Sequence, residues 1–354
     1  MRSMRIGLLT GGGDAPGLNA VIRAVTKSLI HQCGAEVLGI EDGALGLIER
    51  RVRTLGWQDV SGIGALGGTL LGTSNRVSPL SYQGRDWRDD IVAYARELRL
   101  DGLVAIGGDG TMAIADALDR HGLRTVGVPK TIDNDIAHVE RSLGFDTAVA
   151  TVTEALDRVQ TTGQSHGRVM LVETMGRNAG WLALEAGLAA SADIILLPEI
   201  DHEIEAIVAV CRERAARQRF TVVCVAEGAK PRGGQLTVQA VEAGRPEPVR
   251  LGGVAEVLVS QLQPLLQSEV RATVLGHVQR GGAPSPGDRV LGTLVGNAAA
   301  RLVREGAWGH MVSLEQGRIG QVPLTAVAGR TRTVPADHPM LQCARAIGVS
   351  FGEA

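Results

Sequence analysis

Short apolar runs closed by Gly, Asp or Pro recur along the chain, and between them apolar residues fall three and four positions apart. The runs RIGLLT from Arg5, EVLGI from Glu36, LVAIGG from Leu103, TVGVP from Thr125 and RVMLVE from Arg168 are too short and too continuous for amphipathic helices, and predict buried strands. In DDIVAYAREL, Ile91, Tyr94, Ala95 and Leu98 share one helical face. A second series follows, DIILLP from Asp193, FTVVCVAE from Phe220 and RATVLGH from Arg271, separated by helical stretches such as EAIVAVCRERAARQ. Alternating strands and helices predict a parallel sheet covered on both faces, and the two series predict two α/β units. The stretch 229–250 is rich in Gly, Pro and charge and predicts an exposed hairpin or loop.

Composition narrows the classes. The 354 residues are 44% hydrophobic but only 3% aromatic, so the cores must be built from Val, Leu, Ile and Ala. A formal charge of −2 gives no basic field for nucleic acid or an anionic membrane, which points to small-molecule ligands. Cys33, Cys211, Cys224 and Cys343 lie far apart, without the spacing of a zinc site or a disulfide framework. No signal-peptide core precedes the first strand and no apolar run reaches membrane-spanning length, so cytoplasm is the expected location.

Three motifs carry chemistry. GGGDAPGLNAVIRAV follows the first strand at Gly11, with Pro16 placed to open a helix; its glycines let backbone N–H groups approach a phosphate. No GK[ST] follows, so it is not a Walker A loop, and as a dinucleotide fingerprint it lacks the third glycine. A plain strand-to-helix turn accounts for it equally well. IGGDGT, at 106–111, adds a second glycine turn in which Asp109 can serve a magnesium ion, directly or through water. PKTIDNDI, at 129–136, sets Asp133 and Asp135 two apart; in an extended segment they point the same way, with Asn134 turned aside. One carboxylate can take a proton from an attacking hydroxyl while the other orients that group or the metal.

Together with ETMGRNAGW from Glu173, VAEGAK from Val225 and RATVLGHVQRGGAPSPGDR from Arg271, these motifs resemble the phosphofructokinase family over nearly the whole chain. The resemblance implies two three-layer, Rossmann-like α/β domains with mostly parallel sheets. Residues 1–144 with 279–329 would bind the donor and magnesium, and 145–278 with 330–354 the sugar phosphate. It implies the reaction of 6-phosphofructokinase, in which a phosphoryl group moves to the C1 hydroxyl of fructose 6-phosphate with Mg2+ as cofactor. Asp133 would be the base, with Thr131, Asp135 and Arg177 as further catalytic groups. Gly13, Asn75, Arg76, Gly108, Asp109, Gly110, Thr111 and Lys130 would hold the donor, and Asp109 the metal. Met175, Gly176, Arg177 and Glu227 would hold the sugar, alongside Thr131 and Asp133. Arg168, Arg271, His277 and Arg280 would bind its 6-phosphate, a set rich in the bidentate donors that phosphate recognition uses. Family members share Arg168 and Arg271 across subunits, so a homo-oligomer, a tetramer with shared active sites, is implied.

The donor is decided between ATP and pyrophosphate. Relatives that use ATP carry Gly at both position 110 and position 130, whereas Lys130 is the residue of pyrophosphate users. Gly110 leaves room for the α-phosphate and ribose, which an Asp would fill and repel, and Lys130 need not block a nucleotide; the steric argument favours ATP. Asn75 stands where the family places an arginine, and Arg76, its neighbour on an extended segment, would point to the other side. A lipid- or NAD-type kinase would share GGDGT but not MGRNAGW or GHVQRGG, and a non-catalytic sugar-phosphate binder would not need Asp109 and Asp133.

Overall fold

The computed structural model describes residues 3–217, 220–242 and 248–353. Its strands are β1 (Arg5–Thr10), β2 (Glu36–Ile40), β3 (Val52–Leu55), β4 (Gly102–Gly107), β5 (Thr125–Pro129), β6 (Val169–Thr174), β7 (Ile194–Leu196), β8 (Thr221–Ala226), β9 (Val238–Val241), β10 (Val249–Leu251), β11 (Val270–Val274), β12 (His310–Glu315) and β13 (Arg318–Pro323). Its helices are α1 (Leu18–Cys33), α2 (Ala44–Ile48), α3 (Arg88–Glu97), α4 (Asp109–Arg120), α5 (Phe145–His166), α6 (Trp181–Ala189), α7 (Ile204–Arg217), α8 (Val254–Leu262), α9 (Pro286–Glu305) and α10 (Pro339–Ala346). The chain divides into two compact units, residues 3–147 with 280–331, and residues 148–242, 248–279 and 332–353.

The first unit holds a seven-stranded sheet of order β13-β12-β5-β4-β1-β2-β3. Its five central strands run parallel, and β3 and β13 close the edges antiparallel. Alternation along β4 shows why both faces must be covered: Val104 and Ile106 join one core with α1 and α9, and Leu103 and Ala105 join the other with α3 and α4. Small residues let α1 and α9 approach closely, since a Cβ on Gly296 would come within 2.7 Å of Ala24.

The second unit has a parallel four-stranded sheet, order β11-β6-β8-β7, with α7 and α8 packed on one face through Ile207, Cys211 and Leu258. Cys211 and Cys224 are buried thiols, and burial pushes Cys224 up to about 12. The expected hairpin is present as β9 paired antiparallel with β10, its Val241 70% exposed; the part of that stretch at 243–247 lies outside the described residues. The architecture is therefore the α/β, mostly parallel one expected. Among the described residues no helix is long and apolar enough to cross a membrane.

Candidate functional site

In the first unit the two glycine turns sit side by side at the carboxyl ends of β1 and β4. Gly11 N–H donates to the Ile106 carbonyl at 2.8 Å, and a Cβ on Gly11 would meet the buried Thr111 hydroxyl at 2.7 Å. Thr73 Oγ1 donates to the Gly12 carbonyl at 2.7 Å, and Gly12 N–H donates to the Ser74 carbonyl at 3.3 Å. These contacts fix the backbone of both turns before any ligand arrives. Pro16 does not open the helix. Helix α1 begins at Leu18 behind Gly17, whose φ of 99° is left-handed and whose Cβ would come within 2.9 Å of Leu143, so that position takes only glycine and pushes the helix start past the proline. Neither N-cap residue, Gly17 of α1 nor Gly108 of α4, caps its helix with a side chain; in α4 the Asp109 carboxylate accepts from the first-turn Gly110 N–H at 2.7 Å, whereas the first turn of α1 has no such partner from its cap.

Beside the turns lies a small cavity of about 30 Å3, lined mostly by apolar groups including Leu9, Ala44, Val77, Ile114 and Leu118, together with Gly11 and Gly12. Gly110 is exposed, and a Cβ built on it would meet nothing within 4 Å. Asn75 and Arg76 are both exposed at a bend rather than on an extended segment, so the expectation that they face opposite sides does not apply to this backbone.

Lys130, at the end of β5, is 3% exposed, and its ammonium donates to the Gly13 carbonyl. Arg280 grips the same loop, donating to the Asp14 carbonyl at 3.1 Å. Burial and then the Arg280 charge pull Lys130 down to about 8, against the attraction of Asp14, Asp133 and Asp135.

The segment after Lys130 is not extended. Asn134 takes φ 54°, its amide donates to the Glu140 carbonyl at 3.0 Å and its carbonyl oxygen accepts from Ser142 N–H at 2.8 Å. The side chain is turned aside as expected, but because it pins the loop rather than because strand alternation holds. Thr131 Oγ1 accepts from Asp133 N–H at 3.1 Å, and its hydroxyl bonds the Asp135 carboxylate. Burial, then the charges of Asp133 and Asp109, push Asp135 up to about 7 despite hydrogen bonds from its own backbone and Thr131. Asp135 therefore feels the negative charge of both Asp133 and Asp109.

In the second unit Arg168 and Arg271 both pair with Glu269, whose carboxylate is held below the usual range chiefly by the Arg168 hydrogen bond. Adjacent parallel strands explain the shared partner: Arg271 pairs in register with Met170, just past Arg168. Arg271 and His277 are exposed. Gly176 has φ 128°, its carbonyl accepts from Gly228 N–H at 3.2 Å, and Glu227 N–H donates to the Thr174 carbonyl at 2.9 Å, so the 174–177 and 227–228 turns are laced together. Arg177 donates to the Val249 carbonyl at 2.7 Å.

The structure thus gathers Gly13, Asp109, Thr111, Lys130, Thr131, Asp133, Asp135 and Arg280 within the first unit, and Met175, Gly176, Arg177 and Glu227 on laced turns of the second, with Arg168 and Arg271 on Glu269 and His277 on the turn after β11. Sequence reasoning passed over the buried Glu173, which accepts from Gly253 N–H and Ala255 N–H at 2.9 Å each and ties the end of β6 to the start of α8. Its signal was an acid closing an otherwise apolar strand.

The phosphofructokinase family model matches residues 5–303. The chain is 45% identical to the ATP-dependent 6-phosphofructokinase 2 of Clostridium perfringens over 99% of this chain and 98% of that one. It is 44% identical to the pyrophosphate–fructose 6-phosphate 1-phosphotransferase of Amycolatopsis methanolica, over 95% of this chain and 97% of that one. Among solved structures, phosphofructokinase from Saccharomyces cerevisiae superposes with a TM-score of 0.79 at 31% identity, covering 92% of this chain and 45% of the longer yeast chain. The family implied by the motifs is the family the comparisons show, and the chain belongs to the phosphofructokinases.

Proposed function

We propose that the protein transfers the terminal phosphoryl group of ATP to the C1 hydroxyl of fructose 6-phosphate, giving fructose 1,6-bisphosphate. The observation that carries this is the meeting of two preformed glycine turns with the Asp133, Asp135 and Asp109 carboxylates in one unit. Asp133 accepts the proton of the C1 hydroxyl, and Thr131 orients the pair by holding the Asp133 amide and the Asp135 carboxylate. Phosphoryl transfer asks mainly for positioning, which the first turn of α1 and the Gly13, Gly108, Gly110 and Thr111 backbone supply to the donor. Asn75 and Arg76 flank that loop from their exposed bend.

Asp109 is the residue we assign to magnesium. Among the described residues no group of three or more His, Cys, Asp or Glu is arranged to hold a metal alone. The neighbouring negative charges that, after burial, raise Asp135 are what a cation held through Asp109 and the donor phosphates would relieve. When bound, magnesium supplies charge neutralisation for the phosphates. Met175, Gly176, Arg177 and Glu227 take the sugar, with Arg177 a further catalytic group, and Arg168, Arg271, His277 and Arg280 take the 6-phosphate. Arg168 and Arg271 serve a neighbouring subunit's site in a homotetramer of the cytoplasm.

ATP is favoured by the open space at Gly110. Pyrophosphate is the second reading, favoured by the buried Lys130 cation and by the similarity to the Amycolatopsis enzyme. Fructose 1,6-bisphosphate formation by the purified protein with Mg2+ and either ATP or pyrophosphate tests both. Turnover with ATP at least about tenfold above pyrophosphate is expected; the reverse ratio replaces the donor, and no product from either removes the reading.

A further inference from the structure

We propose that Gln279 is a positioning residue for the sugar phosphate, acting as a clamp between the turn that carries Met175–Arg177 and the turn that carries His277. Strands β6 and β11 pair in parallel as far as Glu173 and Val274, and one further bond, Leu275 N–H to the Glu173 carbonyl at 3.1 Å, closes the ladder. Past that point the two turns leave the sheet. There the Gln279 side chain takes over: its amide oxygen accepts from Met175 N–H at 3.1 Å and its amide nitrogen donates to the Gly276 carbonyl at 2.9 Å.

The chemistry of the site selects glutamine. A backbone N–H can only donate and a carbonyl can only accept, so the orientation of the amide is fixed by its two partners. The side chain is 0% exposed, so water does not replace either bond. Glutamate would satisfy Met175 but set a carboxylate oxygen against the Gly276 carbonyl, methionine would fill the space and satisfy neither, and asparagine is one carbon too short to reach both. Gly176, left-handed at φ 128°, follows directly, so a shift of the Met175 amide is passed into the backbone that presents Arg177. Gln279 touches no reacting group itself; it sets the spacing between Met175–Arg177 and His277. The inference rests on the proposed function, in which those residues hold fructose 6-phosphate.

The test compares Gln279→Met and Gln279→Glu with the wild-type protein in steady-state kinetics and in backbone amide exchange. Each variant leaves at least one buried partner unsatisfied, so KM for fructose 6-phosphate should rise about tenfold or more. KM for ATP should stay within about twofold and kcat should change less than KM, a split that general weakening of the fold would not give. Met175 amide protection should fall in Gln279→Met and survive in Gln279→Glu, which keeps the acceptor. An unchanged KM for fructose 6-phosphate, or an equal rise for both substrates, overturns the clamp. If the wild-type protein makes no fructose 1,6-bisphosphate, the proposed function is what fails; amide exchange then judges the clamp alone, and undiminished protection at Met175 in Gln279→Met overturns it.

Discussion

The carboxylate and glycine-turn region of the first unit and the arginine pair of the second are organised in opposite ways. In the first, nearly every polar group is committed internally: Thr131 to Asp133 and Asp135, Asn134 to Glu140 and Ser142, Lys130 to Gly13, Arg280 to Asp14. In the second, Arg168 and Arg271 share the one carboxylate of Glu269, and the Arg271 side chain is 58% exposed. Charges fixed by buried bonds act without reorganisation, whereas exposed ion pairs are screened and exchange partners readily. The proposed function thus puts the chemistry where the fold is already rigid, and anion capture where a phosphate can compete with a weak partner.

The largest expected effect is at Asp133. Asp133→Asn keeps the shape and removes the proposed base, so kcat should fall by about 10³-fold while binding of fructose 6-phosphate, measured by calorimetry, largely persists. Near-normal turnover would mean that the rigid region supplies only positioning.

Next is Lys130. Lys130→Met removes the bond to Gly13 and should raise the donor KM about tenfold, since a loose turn no longer presents its amides to the phosphates. Its stability signature has a definite sign. Lys130 titrates near 8 when folded, below the ordinary lysine value of 10.5 that applies once the chain unfolds, so between those values the unfolded chain binds more protons and wild-type stability rises with pH. The protonated, buried ammonium costs stability below that window, so Lys130→Met should melt a few degrees higher at pH 7, and the gap should close as pH rises from 8 to 10.5. Thermal melts across that range check it; a gap independent of pH would show that burial does not disfavour the ammonium.

Gly110→Asp sharpens the same region from the solvent side. No atom lies within 4 Å of a Cβ at this position and the residue is exposed, so the fold should tolerate the substitution with a melting temperature nearly unchanged. ATP turnover should nonetheless drop about tenfold, because the added carboxylate occupies and repels the space taken by the donor, and pyrophosphate turnover should suffer less. Equal loss with both donors would detach donor choice from this position.

Much of this was legible in the sequence, and the misses have identifiable causes. The strand runs at Arg5, Glu36 and Thr125 match β1, β2 and β5 because a strand buried on both faces has little but its apolar content to reveal, and that content is dense there. Pro16 misled because the left-handed Gly17 behind it sets the helix start, and that requirement comes from Leu143, more than a hundred residues away. The Asp-Asn-Asp spacing pointed to paired carboxylates, yet the pairing arises from a left-handed Asn134 held by Glu140 and Ser142, a tertiary bond that no local periodicity encodes. Glu173 and Gln279 lay inside the quoted motifs, but their roles depend on partners at Gly253 and Met175 that only the folded sheet brings near.

The smallest effect should come from Glu269, and its sign decides whether the two regions differ in kind. Glu269→Gln removes the charge that both arginines share, an exposed pairing that contributes little to stability, so the melting temperature should move by no more than about 2 °C. With the competing carboxylate gone, the local potential becomes more positive and KM for fructose 6-phosphate should fall about twofold, with a steeper dependence on salt. A rise in KM instead would mean that Glu269 holds Arg168 and Arg271 in a binding geometry, which would make the arginine pair as preorganised as the carboxylates and erase the contrast between the two regions. Steady-state kinetics at low and physiological ionic strength separate the cases, because relief from a competing charge fades as salt screens it, while loss of a positioning contact persists.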